Sequence, residues 1–543
     1  MLSMTGSTDT GFGDGRDGRA ALRVLLVASE IYPLAKTGGL ADVCGALPKA
    51  LREMGLDVRL LMPAYPSAIA NVTGSPCITE LARIGASSAR LLAGTLPGSD
   101  LPIWLLDCPQ LYQRPGTPYQ DMHGDEWPDN ALRYGTLCRA AVEIACGRAV
   151  PWRADIVHCN DWHTGLIPLL LRAEGATRPR SVFTVHNAAF QGNVALSAAQ
   201  MLGLDTDAAT LAGIEYYGQM SFLKSGVVFA DKITTVSPTY ARELRTPEYG
   251  SGMHGIFESR ATDLVGIMNG IDTEVWSPAT DEYLARRYTA NDRNGKRECK
   301  VALQASLGLR IDADAPLAIS ASRLTTQKMA DVLLCELPEL MQRHPDMQFA
   351  LLGCGDRELE RGFEDFARAH PGRAAVEIGY REASAHRLHA GADILLHGAR
   401  FEPCGLTQLY AMQYGTVPVV RRVGGLADSV FDVQSASNNA NGFVFEDASG
   451  AALRQAVDRC VAMYASAPGA WDALVDRAMR SDFSWRRSAW NYAELFCELA
   501  VAEGERRRAA DAHSAQRLVA WKARCGRLRR SSQYEPMRTP EVA

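Results

Sequence analysis

The feature that most constrains this chain is a rhythm in which short, continuous apolar runs alternate with segments of helical period. RVLLVASE is followed by Leu40, Val43, Cys44, Leu47, Leu51 and Met54, spaced as one face of a helix, and then by DVRLLMP. ADIVHCND, RSVFTVHN, DKITTVSP, APLAISASR, MQFALLG, AAVEIGY, ADILLHG and TVPVVRR continue the series. A strand apolar on successive residues has no face to give to water, so it belongs in a parallel sheet with helices on both sides. The fold class is therefore α/β. The segment LVGIMNGIDTEVWSPATDEYL, with its Asn-Gly and Ser-Pro breaks, divides the rhythm into two series and places a linker near residues 272–279. A chain of 543 residues exceeds one ordinary core. Two doubly wound, Rossmann-like domains are expected, over residues 21–272 and 273–484, with a helix over 485–503 packing back on the first. Residues 1–20 read as a flexible tail and 504–543 as a basic tail.

Composition removes several classes of function. A net charge of -5 with 22% charged residues provides no general basic field for nucleic acid. No apolar run reaches the length of a membrane span. The first twenty residues lack the apolar stretch of a secretory signal. The thirteen cysteines include no C-x-x-C pair and sit largely in apolar segments, as small buried thiols do in a reducing compartment. A cytoplasmic protein is expected, with neither nucleic acid nor membrane as partner.

Ligands of doubly wound folds collect at the carboxyl ends of strands, and the unusual residues of this chain lie there. KTGGLADV follows the first strand. Paired glycines (Gly38, Gly39) let backbone N–H groups approach a ligand, the next helix presents free donors, and Lys36 adds a charge. This reads as an anion site, or as a tight turn with a surface lysine; it is not a Walker loop. A near copy, RVGGLADSV, follows TVPVV, with Arg421 and Arg422 before it. In SRLTTQK, Arg323 and Lys328 leave one strand-end loop five residues apart, suited to a diphosphate or simply solvated. In HGARFEPCGLTQLYAMQYG, Glu402 precedes Pro403, and the run Cys404, Gly405, Leu406, Thr407 opens a helix whose N–H groups and Thr407 hydroxyl are expected to point back over the loop. Asp161 in HCNDWHTGL, and His186 and Asn187 in FTVHNAAFQG, suit hydroxyl recognition and proton handling, or ordinary structural roles. His386 and His389 form an H-x-x-H without a third ligand, so no metal is expected. GCGDRE lacks the third glycine of a dinucleotide fingerprint.

Together KTGGLADV, RPGTPY, DWHTGL, TVHN, TTVSPTYARE, NGIDTEVWSP, SRLTTQK, GCGD and RFEPCGLTQLYAMQYGT, in this order over roughly residues 22–500, resemble the bacterial glycogen synthase and plant starch synthase family. The resemblance implies a GT-B glycosyltransferase that adds glucose from ADP-glucose to an α-1,4-glucan with retention, without cofactor or required metal. It implies that Lys36, Gly38 and Gly39 hold the donor phosphates from one domain, and Arg323 and Lys328 from the other. By the same resemblance Glu402 and Cys404, Gly405, Leu406 and Thr407 line the donor pocket, and His186, Asn187 and Asp161 lie near the transferring glucose. Tyr119, in RPGTPY, is implied to stack on nucleotide or sugar, and Tyr380, in GYRE, to pack near the base.

Two departures from the family pattern stand out: Lys328-Met329 where a lysine-glycine pair is usual, and Gly398-Ala399 where Pro-Ser precedes RFEP. Met329 is expected to narrow the phosphate loop. Two rival readings keep the same scaffold: a glycosyltransferase with another donor or acceptor, and a non-catalytic glucan-binding protein.

Overall fold

The computed structural model describes residues 21–507 except 82–83, 85–88, 205–209, 211 and 436–437. The tail read over 1–20, and that from 504 apart from residues 504–507, lie outside the described residues. Every apolar run quoted above is a strand. The first half gives β1 (Arg23–Val27), β2 (Asp57–Pro63), β3 (Cys77–Glu80), β4 (Arg90–Thr95), β5 (Pro102–Asp107), β6 (Ile156–Asn160) and β7 (Arg180–Val185). A small antiparallel sheet of β8 (Asn193–Ala195), β9 (Glu215–Tyr216) and β10 (Gln219–Ser221) follows, then β11 (Lys232–Thr235) and β12 (Leu264–Gly266). The large sheet runs β12-β11-β7-β6-β1-β2-β5-β4-β3. It is parallel from β12 to β5, and β4 and β3 turn antiparallel at the edge.

The second half gives β13 (Leu317–Ala321), β14 (Gln348–Gly353), β15 (Ala374–Ile378), β16 (Ile394–His397), β17 (Val417–Arg421) and β18 (Phe443–Phe445). Their order is β15-β14-β13-β16-β17-β18, parallel throughout. Strand order reverses between β13 and β16 here, and between β1 and β6 in the first sheet. At such reversals the loops leave in opposite directions and open a crevice.

Helix 485–507 leaves the second sheet and packs on the first. Trp485, Ala489, Tyr492 and Phe496 join Val24, Val43, Leu47, Leu51, Ile156 and Val182 in one apolar cluster. Leu47, Tyr492 and Phe496 are fully buried. Such burial stabilises by about 1.5 to 3 kcal/mol per aliphatic or Phe side chain. The chain crosses between the sheets twice at one place, where Ile271 pairs with Ser484 and its N–H donates to the Phe483 carbonyl. No helix among the described residues is long and apolar enough to cross a membrane.

Candidate active site

The loops at the two strand reversals face each other. On the first sheet, β1 runs into Ser29 and Glu30, both buried. The Glu30 carboxylate accepts from the Thr37 N–H and hydroxyl and from the Tyr119 hydroxyl at 2.7 Å. Burial raises its pKa, opposed by these donors and by the Gly38 N–H. Glu30 thus ties the Lys36 loop to the end of its own strand, and it engages the Gly38 N–H, a donor expected to face a ligand. Tyr119 is fixed by the same contact, by a 2.8 Å hydrogen bond with Ser29, and by stacking on His163 at 4.7 Å. One face of its ring is therefore spent within the protein.

Lys36 stands 2.9 Å from Asp42, one turn into helix 39–53, and 3.9 Å from Glu382 of the opposite domain. Its ammonium lies 5.3 Å from the Tyr32 ring centre and 5.4 Å from that of Tyr380. Burial works against its charge, but Asp42 and Glu382 outweigh it and hold the pKa above the ordinary lysine value. Tyr380 is exposed, with its hydroxyl donating to Glu382 at 2.6 Å. A side chain at Gly38 would meet nothing within 4 Å, and one at Gly39 would touch only Leu406, at 3.5 Å across the cleft. KTGGL and RFEPCGL therefore face one another, approaching closely at Gly39 and leaving open space at Gly38.

Beyond β6, Asp161 adopts φ 61°, unusual for a residue with a side chain, and accepts from the Trp162 N–H. Burial pushes its pKa up to about 8. It therefore holds a proton at neutral pH. His186, beyond β7, bonds through Nε2 to Asn160 Oδ1 at 3.1 Å, and burial takes its pKa down to about 3, leaving a neutral imidazole. The Asn187 side chain accepts from the Ala189 N–H.

On the second sheet, the Lys328 ammonium sits on a single 3-10 turn, Thr326–Lys328, and pairs directly with Glu402 beyond β16. His397 Nε2 lies 3.2 Å from the same carboxylate. Although burial alone would raise it, Lys328 and His397 hold Glu402 down at about 2, so it is a permanent anion. Arg323 is exposed and has no ion-pair partner among the described residues. The GCGD turn backs its loop, with Leu324 exchanging backbone hydrogen bonds with Cys354 and Asp356. Met329 follows Lys328 at φ 52°, a left-handed conformation that costs about 1 to 2 kcal/mol for a residue with a Cβ.

Helix Thr407–Gln413 starts where expected, with Cys404 buried and Gly405 and Leu406 leading into it. Its Thr407 hydroxyl does not point over the loop: it donates to the Ala321 carbonyl, closing the end of β13. His386 is buried between Asp281, at 2.7 Å from Nδ1, and the Trp276 ring stacked at 3.9 Å, which gives the H-x-x-H a place in packing. Among the described residues no cluster of three His, Cys, Asp or Glu has the arrangement of a metal site.

Glu30, Asp42, Glu382 and His397 were not singled out from the sequence. The signal for Glu30 was a carboxylate ending an otherwise apolar strand, and for Glu382 its place two residues after Tyr380. The pairings of Lys36 with Glu382 and of Lys328 with Glu402 span long stretches of chain and leave no spacing to read.

Residues 23–259 match the family model described as the starch synthase catalytic domain, and residues 307–467 match that of glycosyl transferases group 1. Glycogen synthase of Burkholderia thailandensis is 53% identical over 96% of this chain and 98% of its own length. That of Paramagnetospirillum magneticum is 48% identical over 88% and 98%. The catalytic domain of starch synthase IV from Arabidopsis thaliana, bound to ADP and acarbose, superimposes with a TM-score of 0.80 at 32% identity, covering 88% of this chain and 99% of that one.

Proposed function

The chain belongs to the glycogen and starch synthase family and has its GT-B fold, and on that premise we propose how its cleft works. It is a glycosyltransferase that transfers glucose from ADP-glucose to the non-reducing end of an α-1,4-glucan, with retention and in the cytoplasm, where buried free thiols such as Cys44, Cys138, Cys159 and Cys460 stay reduced. The observation that carries the site assignment is the meeting of KTGGL and RFEPCGL, each at the strand reversal of its own sheet, with Gly39 facing Leu406.

Lys36 approaches the donor diphosphate from one side, and Arg323 and Lys328 from the other. Departure of ADP builds negative charge on the phosphate next to the sugar, and fixed cations stabilise that charge where it develops. Lys328 comes to the phosphate already oriented by Glu402. Glu402 remains ionised and accepts from glucose hydroxyls, with Cys404, Gly405, Leu406 and Thr407 forming the wall beside it. His186 is neutral, so it positions a hydroxyl by hydrogen bonding and adds no charge; Asn187 does the same. Asp161 carries a proton and offers a donor beside the transferring glucose. Tyr119 stacks on nucleotide or sugar with the ring face that His163 leaves free, and Tyr380, beside Lys36, packs near the base. In this reading no side chain becomes a nucleophile, and the departing phosphate takes the acceptor proton.

The test is incorporation of labelled glucose into a glycogen primer from ADP-glucose and from UDP-glucose, with a chelator present. Incorporation from ADP-glucose that falls at least a hundredfold in Lys328→Ala is the expected result. A folded protein that binds glucan and transfers from neither donor, or a trapped covalent glucosyl-enzyme, would overturn the reading.

A further inference from the structure

We infer that Met329 and Gly398 are a matched pair whose contact sets the position of Lys328. Met329 has φ 52° and ψ 30°, the conformation in which glycine is free of strain. Its side chain is nevertheless buried, at 1% exposure, in the core of the second domain. Gly398 shows the converse. Its φ lies outside the left-handed region, so its backbone accepts any residue. What a side chain there lacks is room: a Cβ at 398 would stand 3.3 Å from both Cβ and Sδ of Met329, and 3.7 Å from Cε. The glycine-type backbone carries the side chain, and the ordinary backbone carries the glycine. Each residue occupies what the other leaves.

The pair closes a seam with Lys328 at its centre. Met329 joins the 3-10 turn directly to helix 330–343, its N–H donating to the Thr326 carbonyl and its carbonyl accepting from Leu333. Around it, the Arg400 N–H donates to Gln327, and the Arg400 guanidinium makes two 2.8 Å contacts with Asp331. Gln327 Nε2 reaches the Phe401 carbonyl at 3.3 Å. These polar contacts tie the 326–331 turn to the 398–402 loop; Met329 against Gly398 is their apolar closure. Lys328, His397, Met329 and Gly398 line one small pocket between the ends of β13 and β16. A neighbour pegged into the core leaves Lys328 little freedom to swing, so its ammonium is held at Glu402. Met329 is thus a positioning residue, acting through Lys328.

The claim about the lysine rests on the reading of Lys328 as a donor-phosphate ligand; the pairing itself does not. A double-mutant cycle over Met329→Gly, Gly398→Ala and the combined variant separates the two, reading Tm, ADP affinity by calorimetry, and KM and kcat for ADP-glucose with primer. Each single substitution is expected to lower Tm, weaken ADP about five- to tenfold and raise the donor KM by a like factor, and the combined variant to lose no more than Met329→Gly alone, because the methyl added at 398 then meets no methionine, as contacting residues couple. A single variant that fails to fold while the combined one folds counts as the same coupling. Additive effects on Tm would overturn the pairing. Coupling in Tm with ADP affinity and KM unmoved throughout would overturn the positioning role. A parent that binds ADP and transfers no glucose would fail the proposed function, while Tm and ADP affinity still decide this inference.

Discussion

GGLAD occurs twice, once after β1 and once after β17, and the two copies are put to opposite uses. In the first, Gly38 has open space in front of it, Gly39 meets only the Leu406 side chain at an ordinary contact distance, and Lys36 stands beside them. In the second, the space is filled by protein. A Cβ on Gly424 would lie 1.9 Å from the Glu402 carbonyl oxygen, and one on Gly425 2.2 Å from that of Cys404. These glycines let helix 424–429 press against the underside of the 402–404 loop. The start of that helix meets a carboxyl group as well, but the group is the chain's own: the Gly424 N–H donates to Glu243 of the other domain at 2.9 Å. Asp428 returns the contact, accepting from the Thr239 N–H and hydroxyl at 2.7 Å each. The cation differs too. Arg422 is paired outward with Glu446, and Arg421 spends its guanidinium on the carbonyls of Ala399, Arg400 and Glu446. One motif thus lines the cleft in its first copy, and clasps two domains in its second, where its glycines face backbone.

The largest effect that would break this contrast is on Lys36. Lys36→Ala is expected to lower kcat/KM for ADP-glucose about ten- to a hundredfold, since a charge-assisted hydrogen bond contributes about 1.5 to 3 kcal/mol and about 1.4 kcal/mol is a factor of ten. Steady-state kinetics that left it within twofold would remove the first copy from the donor site. The glycines come next. Gly425→Ala forces a methyl into the Cys404 backbone and is expected to cost about 1 to 3 kcal/mol, seen as a Tm lower by several degrees and weakened donor binding. Gly39→Ala meets only an ordinary contact with Leu406 and is expected to leave Tm within about 1 °C. Equal losses from both would erase the distinction between void and backbone.

Much of this was legible beforehand, for a physical reason. Strands of a covered parallel sheet must be apolar throughout, so β1, β2, β6, β7, β11 and β13 to β17 announce themselves, whereas the antiparallel β3 and β4 and the edge strand β12 carry no such pattern and β18, at three residues, is too short to show one. The placement of the candidate residues in strand-end loops was legible because each follows directly on an apolar run. What stayed hidden were partners brought in from afar. Nothing near Lys36 announces Glu382, and nothing in ASE says that Glu30 will hold the loop seven residues on. The role of the second GGLAD was hidden for the same reason, because Glu243 and Thr239 come from the opposite domain. Met329 and Gly398 read as two separate departures from the family pattern, and only the fold puts them in contact.

A smaller effect sharpens the clasp. Burial raises Glu243 to about 7, opposed by the Gly424 N–H and by Arg421 and Arg242 and reinforced by Asp428. A carboxyl raised in the folded state favours the protonated fold, so its contribution is complete below the unfolded value near 4.5 and is lost as pH rises through about 7. The Tm of the parent relative to Glu243→Gln is therefore expected to fall between pH 5 and 8. A difference that is flat with pH would mean that Glu243 does not titrate at the clasp.

The smallest effect bears most directly on the contrast. Arg422 stands two residues before the second glycine pair, the place that Lys36 holds in the first, and it is the nearest cation to those glycines. Its 2.7 Å pair with Glu446 lies at the surface, with the two side chains 44% and 68% exposed, and such pairs contribute about 0 to 1 kcal/mol. Arg422→Ala is expected to leave the donor KM within about twofold and Tm nearly unchanged. A donor KM raised as far as that of Lys36→Ala would mean that the second copy also reaches the phosphates, and that the filled space beneath Glu402 and Cys404 supports a second cradle. An unchanged KM leaves the cation and the void as what separates the two copies, because the five-residue motif itself is the same in both.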